Sequence, residues 1–496
     1  MLCAAVVVAG WGGWQGRGQS AGPPGMAAIT EVDVRRDMFA MAGDGFRGRE
    51  AGTMDELRAS MWLADKAREA GLTPAGDDGT FFQFWPMRRT RTAEGSKVVL
   101  IRDTTRRLMT LGVDAIVTQP IDLQGQWPIV FVGHATDAEL QGLNLSGKAA
   151  AAIVSPPARP VPDNVSLRGF RYAGAALRGT QQRLLEHGAA AVILISDAAA
   201  DSGWDFAGTN YVRGRYQIDT GHVEHGPRKG PPVIWMRPQG LPLVQAPNDT
   251  LMVELRSESF VFPSVNIVGK VRGTDPGLRD EYVVFSSHQD HDGVRFTVKG
   301  DSIWNGADDN ASTSVAILAA ARAFHQHPGK RSALFVWQGA EERGLLGSSW
   351  FVLHPTVPLT SMVAVLNGDM VGRNSPDSAA LLGVQPPHRN SPELVAMALK
   401  ANGEYTRFML DTTWDRPTHP EGWYFRSDHL PYARAGVPAL MFTTLLHPDY
   451  HTPQDNPDRI DIKKLTKMAQ WMYATGWAVA QAARRPAYDS TFKLER

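Results

Sequence analysis

The segment Trp304-Asn305-Gly306-Ala307-Asp308-Asp309-Asn310 sets two adjacent carboxylates in a Gly/Asn turn, directly ahead of an apolar run with helical spacing over residues 311–324. Asp and Asn favour helix N-caps, and a cap needs no metal. A carboxylate held in a tight loop at a helix start is equally poised to bridge two cations. The residues around it decide the matter. His288 and Asp290 precede the turn, and Glu341, Glu342, Asp369 and His451 follow it. Each lies just past an apolar run that reads as a strand, or in a loop beside one. Taken together they form a site.

Working outward, residues 264–270, 282–287, 332–338, 361–366 and 437–443 read as strands, and 311–324, 344–353, 391–401 and 461–483 as helices. This alternation predicts an α/β fold, a mixed sheet covered by helices on both faces. Open sheets of that kind bind ligands beyond the carboxyl ends of their strands, where the acidic and imidazole residues fall. Toward the N-terminus, Leu57, Met61, Ala64 and Ala67 give a helical rhythm over 54–70, with Thr53 placed to cap it and an aromatic-rich strand at 80–87. Residues 112–247 have another texture: short β-like runs at 128–133, 149–155 and 189–196, Pro/Gly loops, and one helix-like stretch at 175–186. His134 and His187 stand alone there, so this reads as an inserted module with a binding or covering role.

The 496 residues suffice for two domains. Lys+Arg and Asp+Glu both number 51, and no basic run stands out, which excludes a nucleic-acid partner as the reading. No segment of the body is an apolar run long enough to span a bilayer. The single cysteine, Cys3, lies in an apolar stretch whose residues 4–10 resemble the core of an export signal, although no Lys or Arg precedes it. Residues 1–25 are therefore expected to be a signal peptide, cleaved near Ser20-Ala21, or a disordered tail. Without Cys3, no thiolate is left to bind metal.

A neutral imidazole is a good zinc ligand, and a carboxylate two residues on, as in His288-x-Asp290, can hold its orientation. His291 and Asp292 are read as loop residues. Paired glutamates at a strand-to-helix turn can divide labour, one binding metal and one handling a proton. Asp369 ends a hydrophobic strand, where an unpartnered carboxylate would be costly. His451 adds a second imidazole from the loop Asp449-Tyr450-His451-Thr452-Pro453. Two His, two Asp and one Glu exceed the three protein ligands usual for one catalytic zinc. They suit two metals about 3.5–4 Å apart that share a carboxylate and a water or hydroxide. Zinc fits this donor set, with manganese or cobalt as alternatives.

These motifs resemble those of the M28 metallopeptidases: His288-x-Asp290, the run from Gly306 to Ser312, Glu341-Glu342-x-Gly344-Leu345-x-Gly347-Ser348, Asn367-x-Asp369 and Tyr450-His451-Thr452-Pro453. The likeness covers roughly 264–483. Residues 46–87 resemble the start of the same catalytic domain, and 112–247 resemble a protease-associated (PA) domain inserted into it, β-rich and α+β. The division this implies is 26–111 and 248–496 for the peptidase domain, of zinc-dependent exopeptidase type, and 112–247 for the insert. The resemblance further implies two zinc ions per chain. His288, Asp309 and Asp369 would hold one, and Asp309, Glu342 and His451 the other, with Asp309 bridging. Glu341 would be the general base and Asp290 the residue behind His288. A cis Asp309–Asn310 peptide is also implied. Ser427-Asp428-His429 matches a family motif near the pocket and supplies no ligand. Thr313 stands where the family commonly has Gly, a departure expected to alter helix packing. The implied activity is that of a secreted or periplasmic aminopeptidase acting on peptides through a metal-bridging hydroxide. The alternatives are a glutamate-carboxypeptidase-like dipeptidase, for which Arg373, Arg416 and Arg426 are candidate cations, a one-zinc glutaminyl cyclase, and a non-catalytic receptor-like protein. The filled ligand positions argue against the last.

Overall fold

The computed structural model describes residues 22–162, 166–221, 230–492 and 494. The expected signal peptide or tail lies almost wholly outside them, Cys3 and the Ser20-Ala21 junction included.

Four parallel strands make the centre of the larger sheet, in the spatial order Ser332–Gln338, Tyr282–His288, Met362–Gly368 and Ala439–Thr443. On one side the sheet continues antiparallel through Ser257–Val271, Phe82–Thr92 and Arg215–Ile218. On the other, Ser378–Leu382 pairs antiparallel with Ala439–Thr443 and carries Met409–Asp411 at the edge. The central strands are near-continuous apolar runs because both of their faces are buried. Val283, Phe285, Phe335 and Trp337 pack on one face with residues of the helices Glu31–Met41, Met54–Glu69, Thr313–Gln326, Pro392–Ala401 and Ile462–Gln481. Val284, Leu334, Val336 and Val365 point the other way, onto Phe351, Tyr432 and Ala433. Successive side chains serve opposite layers. The expected mixed sheet with helices on both faces is what forms.

The helix expected over 311–324 runs from Thr313 to Gln326, preceded by a widened turn at 307–312 that contains the cis Asp309–Asn310 peptide. Thr313 opens this helix and is fully buried. It sits against Gly368, where an added Cβ would come within 2.4 Å of Thr313 Cγ2, so the glycine at the end of one strand leaves room for the threonine. The helix Met54–Glu69 starts as read from the sequence: the Thr53 hydroxyl accepts from the Asp55 and Glu56 amides at 3.2 and 3.4 Å. Thr53 is exposed, so Thr53→Ala removes a cap without opening a cavity. It is expected to lower stability by about 1 kcal/mol in chemical denaturation, with no change in metal content.

A second, eight-stranded sheet takes its strands from Lys97 to Leu255. The strands Lys97–Arg102, Thr105–Leu108 and Thr250–Leu255 flank the module expected over 112–247, yet belong to its sheet. The helices Arg168–Glu186 and Trp204–Arg213 pack on one of its faces. Arg215–Ile218, inside the same span of sequence, crosses back to pair with Phe82–Thr92 of the larger sheet.

Candidate metal centre

All the acidic and imidazole residues singled out from the sequence converge at the carboxyl ends of the four parallel strands. His288 is the last residue of its strand, Glu341 and Glu342 follow Ser332–Gln338, and Asp369 follows Met362–Gly368. His451 arrives on the loop beyond Ala439–Thr443. Sharp backbone turns aim these side chains. Gly306, Ala340, Met370 and His451 all have left-handed backbone, with φ of 57°, 55°, 54° and 51°. For the three that are not glycine this conformation is unfavourable, and such residues gather at functional sites.

Asp309 is the hinge of the arrangement. Its Oδ1 lies 3.3 Å from His288 Nε2, and its Oδ2 lies 3.0 Å from His451 Nε2. On the Oδ1 side, His288, Asp309 and Asp369 bring one ligand atom each within 4.8 Å of the others, with His288 Nε2 and Asp369 Oδ1 3.8 Å apart. On the Oδ2 side, Asp309, Glu342 and His451 do the same, joined by His291. Glu342 Oε1 is 3.2 Å from His451 Nε2 and 2.8 Å from His291 Nδ1. The sequence left His291 and Asp292 as loop residues, but both are buried, and Asp292 Oδ2 lies 3.4 Å behind His451 Nδ1.

The donors fit divalent metals on chemical grounds. His288 Nε2, Glu342 Oε1 and both ring nitrogens of His291 are buried without a hydrogen-bond partner among the described residues. Orphaned buried polar atoms are rare, at about 1–3 kcal/mol each. Of these, Glu342 Oε1 and His291 Nδ1 lie 2.8 Å apart, and His288 Nε2 lies 3.3 Å from Asp309 Oδ1, as ligand atoms do around a cation.

Asp290 works differently from the expectation. Its backbone carbonyl accepts from His288 Nδ1 at 3.1 Å, while its carboxylate stands 3.7 Å away, beyond hydrogen-bond reach. A carbonyl can only accept, so the proton sits on Nδ1 and the Nε2 lone pair turns to the site. The Asp290 carboxylate instead accepts the backbone N–H groups of Glu341 at 3.0 Å and Glu342 at 3.3 Å, fixing both glutamates.

Glu341 Oε2 lies 3.7 Å from His288 Nε2. Burial pushes its carboxyl well above the usual range, the charges of Glu342 and Asp369 add to this, and His288 opposes it. Burial also acts on Glu342, but His451 and His291 outweigh it and hold that carboxyl well below the usual range. Adjacent glutamates are thus driven apart: one suited to carry a proton, the other to stay charged.

Residues missed from the sequence hold this frame from behind. Buried Arg49 donates to the carbonyls of Met41, Gln289, Asn305 and Gly306 at 3.1, 2.7, 2.7 and 2.9 Å. Arg213, from the helix Trp204–Arg213 over the second sheet, pairs with Glu50 and donates to the Asp292 carbonyl at 2.8 Å. Arg295 holds the Asp292 carboxylate at 2.8 Å. Ser427-Asp428-His429 contributes no atom to either group of donors.

An α/β sheet with such a cluster at its strand ends offers a candidate site for divalent metals, and comparison with known proteins shows what the chain resembles. Residues 266–476 match the model of peptidase family M28. Among curated relatives, a probable leucine aminopeptidase of Arthroderma otae is 28% identical over 226 residues, covering 43% of this chain and 58% of the relative. Aminopeptidase YwaD of Bacillus subtilis is 26% identical over 283 residues, 54% of this chain and 55% of the relative. The chain thus spans 50–61% of the length of these curated relatives. Among solved structures, an aminopeptidase from Aneurinibacillus sp. strain AM-1 superposes with a TM-score of 0.57 at 18% identity, over 95% of this chain and 98% of that one. A zinc aminopeptidase from Bacillus subtilis gives 0.56 at 18% identity, over 94% and 99%. These likenesses extend over both sheets and establish the fold.

Proposed function

We propose that this chain is a zinc-dependent exopeptidase, an aminopeptidase that hydrolyses the terminal bond of a peptide. In this reading His288, Asp309 and Asp369 hold one zinc, and Asp309, Glu342 and His451 hold the other. The observation that carries it is Asp309, which turns one carboxylate oxygen to each set of donors, with Glu341 beside His288. The names of the relatives, leucine aminopeptidases and a zinc aminopeptidase, point the same way.

Two divalent ions so held supply Lewis acidity toward a carbonyl and lower the pKa of a water. The chain supplies the rest. Glu341 takes the proton of the attacking water as the C–O bond forms and delivers it to the nitrogen as the C–N bond breaks. Asp290 keeps Glu341 and Glu342 in place through their amides and presents His288 in a single tautomer. His288, Asp309 and Asp369 are buried, and Glu341, Glu342 and His451 nearly so, which strengthens each of these interactions.

A carboxypeptidase acting on acidic dipeptides would need free cations for the substrate carboxylate. Arg373 is engaged by Asp449 at 2.6 Å, and Arg426 by Glu421 at 2.8 Å and the Tyr450 hydroxyl at 3.0 Å. Arg416 is exposed. Two of the three candidate arginines are already committed, which favours the aminopeptidase. Among the described residues no helix is long and apolar enough to cross a membrane. The apolar run at 4–10 supports a secreted or periplasmic location.

The test is metal analysis of the purified protein together with hydrolysis of amino-acid p-nitroanilides, with and without chelator. About two zinc ions per chain and a chelator-sensitive rate are expected. Two zinc ions with hydrolysis of acidic dipeptides alone would replace the aminopeptidase with the carboxypeptidase.

A further inference from the structure

We propose that His291 is a fourth protein donor to the metal position formed by Asp309, Glu342 and His451, so that the two positions are unequal. One is closed by four protein atoms, and the other, at His288, Asp309 and Asp369, is left open with three. The proposal rests on the metal-binding part of the reading above and goes beyond its five ligands.

Geometry comes first. His291 Nδ1 is 2.8 Å from Glu342 Oε1 and 4.0 Å from Asp309 Oδ2. His451 Nε2 is 3.0 Å from that same Asp309 oxygen and 3.2 Å from that same Glu342 oxygen. The two imidazoles meet nearly at right angles, 85°, with ring centroids 5.2 Å apart. Bonds of about 2.0–2.1 Å to a tetrahedral zinc place neighbouring ligand atoms about 3.3 Å apart. The four separations straddle that value, so the four atoms can share one ion.

The competing account makes His291 a simple hydrogen-bond donor to Glu342. Two observations speak against it. Neither His291 Nδ1 nor Glu342 Oε1 has a directed hydrogen bond despite the 2.8 Å approach, and His291 Nε2 has no partner either. An ion bound at Nδ1 would give that nitrogen the partner it lacks among the described residues. The chain also makes room for this ring: a Cβ at Gly306 would come within 2.2 Å of His291 Cγ. The glycine of the turn that presents Asp309 is thus also what lets the imidazole approach.

The inequality has a chemical consequence. Four-ligand sites are the closed, retentive kind, whereas three-ligand sites keep a position open for water or substrate. The ion held beside His288 and Glu341 would then be the more readily exchanged of the two.

The experiment uses the full chain. Treatment with a graded series of dipicolinate concentrations should remove zinc in two stages, and His291→Ala should merge them, weakening retention of the second ion by at least about 100-fold. Wild-type protein loaded with Co²⁺ gives an independent readout that survives any folding defect of the variant. Proton NMR should show three hyperfine-shifted imidazole N–H resonances, from His288, His291 and His451. Two resonances, or a His291→Ala protein that keeps both ions as tightly as wild type, would overturn the proposal and leave the five-ligand reading standing. A wild-type protein that binds neither Zn²⁺ nor Co²⁺ would overturn both.

Discussion

Replacing Glu341 with Gln is expected to lower kcat/KM on aminoacyl p-nitroanilides by about two to four decades while leaving metal content unchanged. The reason is a division of labour between neighbours. Glu342 points its Oε1 at His451 and His291, and those imidazoles keep it charged. Glu341 faces His288 from 3.7 Å, outside both groups of mutually close donors. Gln keeps the size and the neutral hydrogen-bonding of a protonated carboxyl but cannot take a proton from water. Its main-chain N–H, which holds the Asp290 carboxylate at 3.0 Å, is untouched, so the turn should persist. The loss should therefore fall on kcat, with KM changing little. Elemental analysis of the same preparation separates this outcome from metal loss. A Glu341→Gln enzyme within a few-fold of wild type would show that another group carries the proton. Loss of zinc in that variant would make Glu341 a ligand instead.

Why the centre was legible in the sequence is a matter of topology. In a parallel sheet covered on both faces, strands are apolar runs, and polar residues that bind are confined to the loops at one end. His288, Glu341, Glu342 and Asp369 each follow such a run, so position along the chain translates directly into place in the fold. Even the break before the helix Thr313–Gln326 was marked by the Gly/Asn/Asp turn. Where the reading fell short, the deciding contact was remote or belonged to the main chain. Asp290 was expected to act through its carboxylate on His288, yet the backbone carbonyl does so, and sequence carries no sign of which oxygen turns inward. His291 looked like filler beside His288-x-Asp290. Its burial depends on the space left by Gly306 and on Glu342, neither of which is a neighbour along the chain. The strand Thr105–Leu108, exposed at every residue, has no buried face to give an apolar alternation, so this part of the second sheet left no pattern to read ahead of residue 112.

Arg49 is the strongest case of a remote contact, and its removal should have the larger structural effect. Read from the sequence, it is one of three arginine or glutamate residues in a polar loop before a helix. In the structure it is fully buried, and its guanidinium spans 240 residues to the Gln289 carbonyl and 256 and 257 residues to those of Asn305 and Gly306. Those carbonyls flank the segments that present His288 and Asp309, so one side chain sets the spacing between the two halves of the centre. Burial lowers its pKa to about 10, opposed by the carboxylates of Asp290, Asp455, Asp309 and Glu342. That is still high enough to keep the charge at neutral pH. Arg49→Met retains the length but strips the donors from four buried carbonyls and a counter-charge from the acidic cluster. Unsatisfied buried groups cost about 1–3 kcal/mol each, so a loss of at least about 3 kcal/mol is expected. It should appear as a lower Tm by circular dichroism, together with weaker zinc retention. Arg49→Lys should recover little, because an ammonium is a point donor and cannot span carbonyls arranged around a planar fork. Wild-type Tm and zinc content in Arg49→Met would mean that the loops hold their spacing without it, and that the buried guanidinium is a consequence of the fold rather than one of its supports.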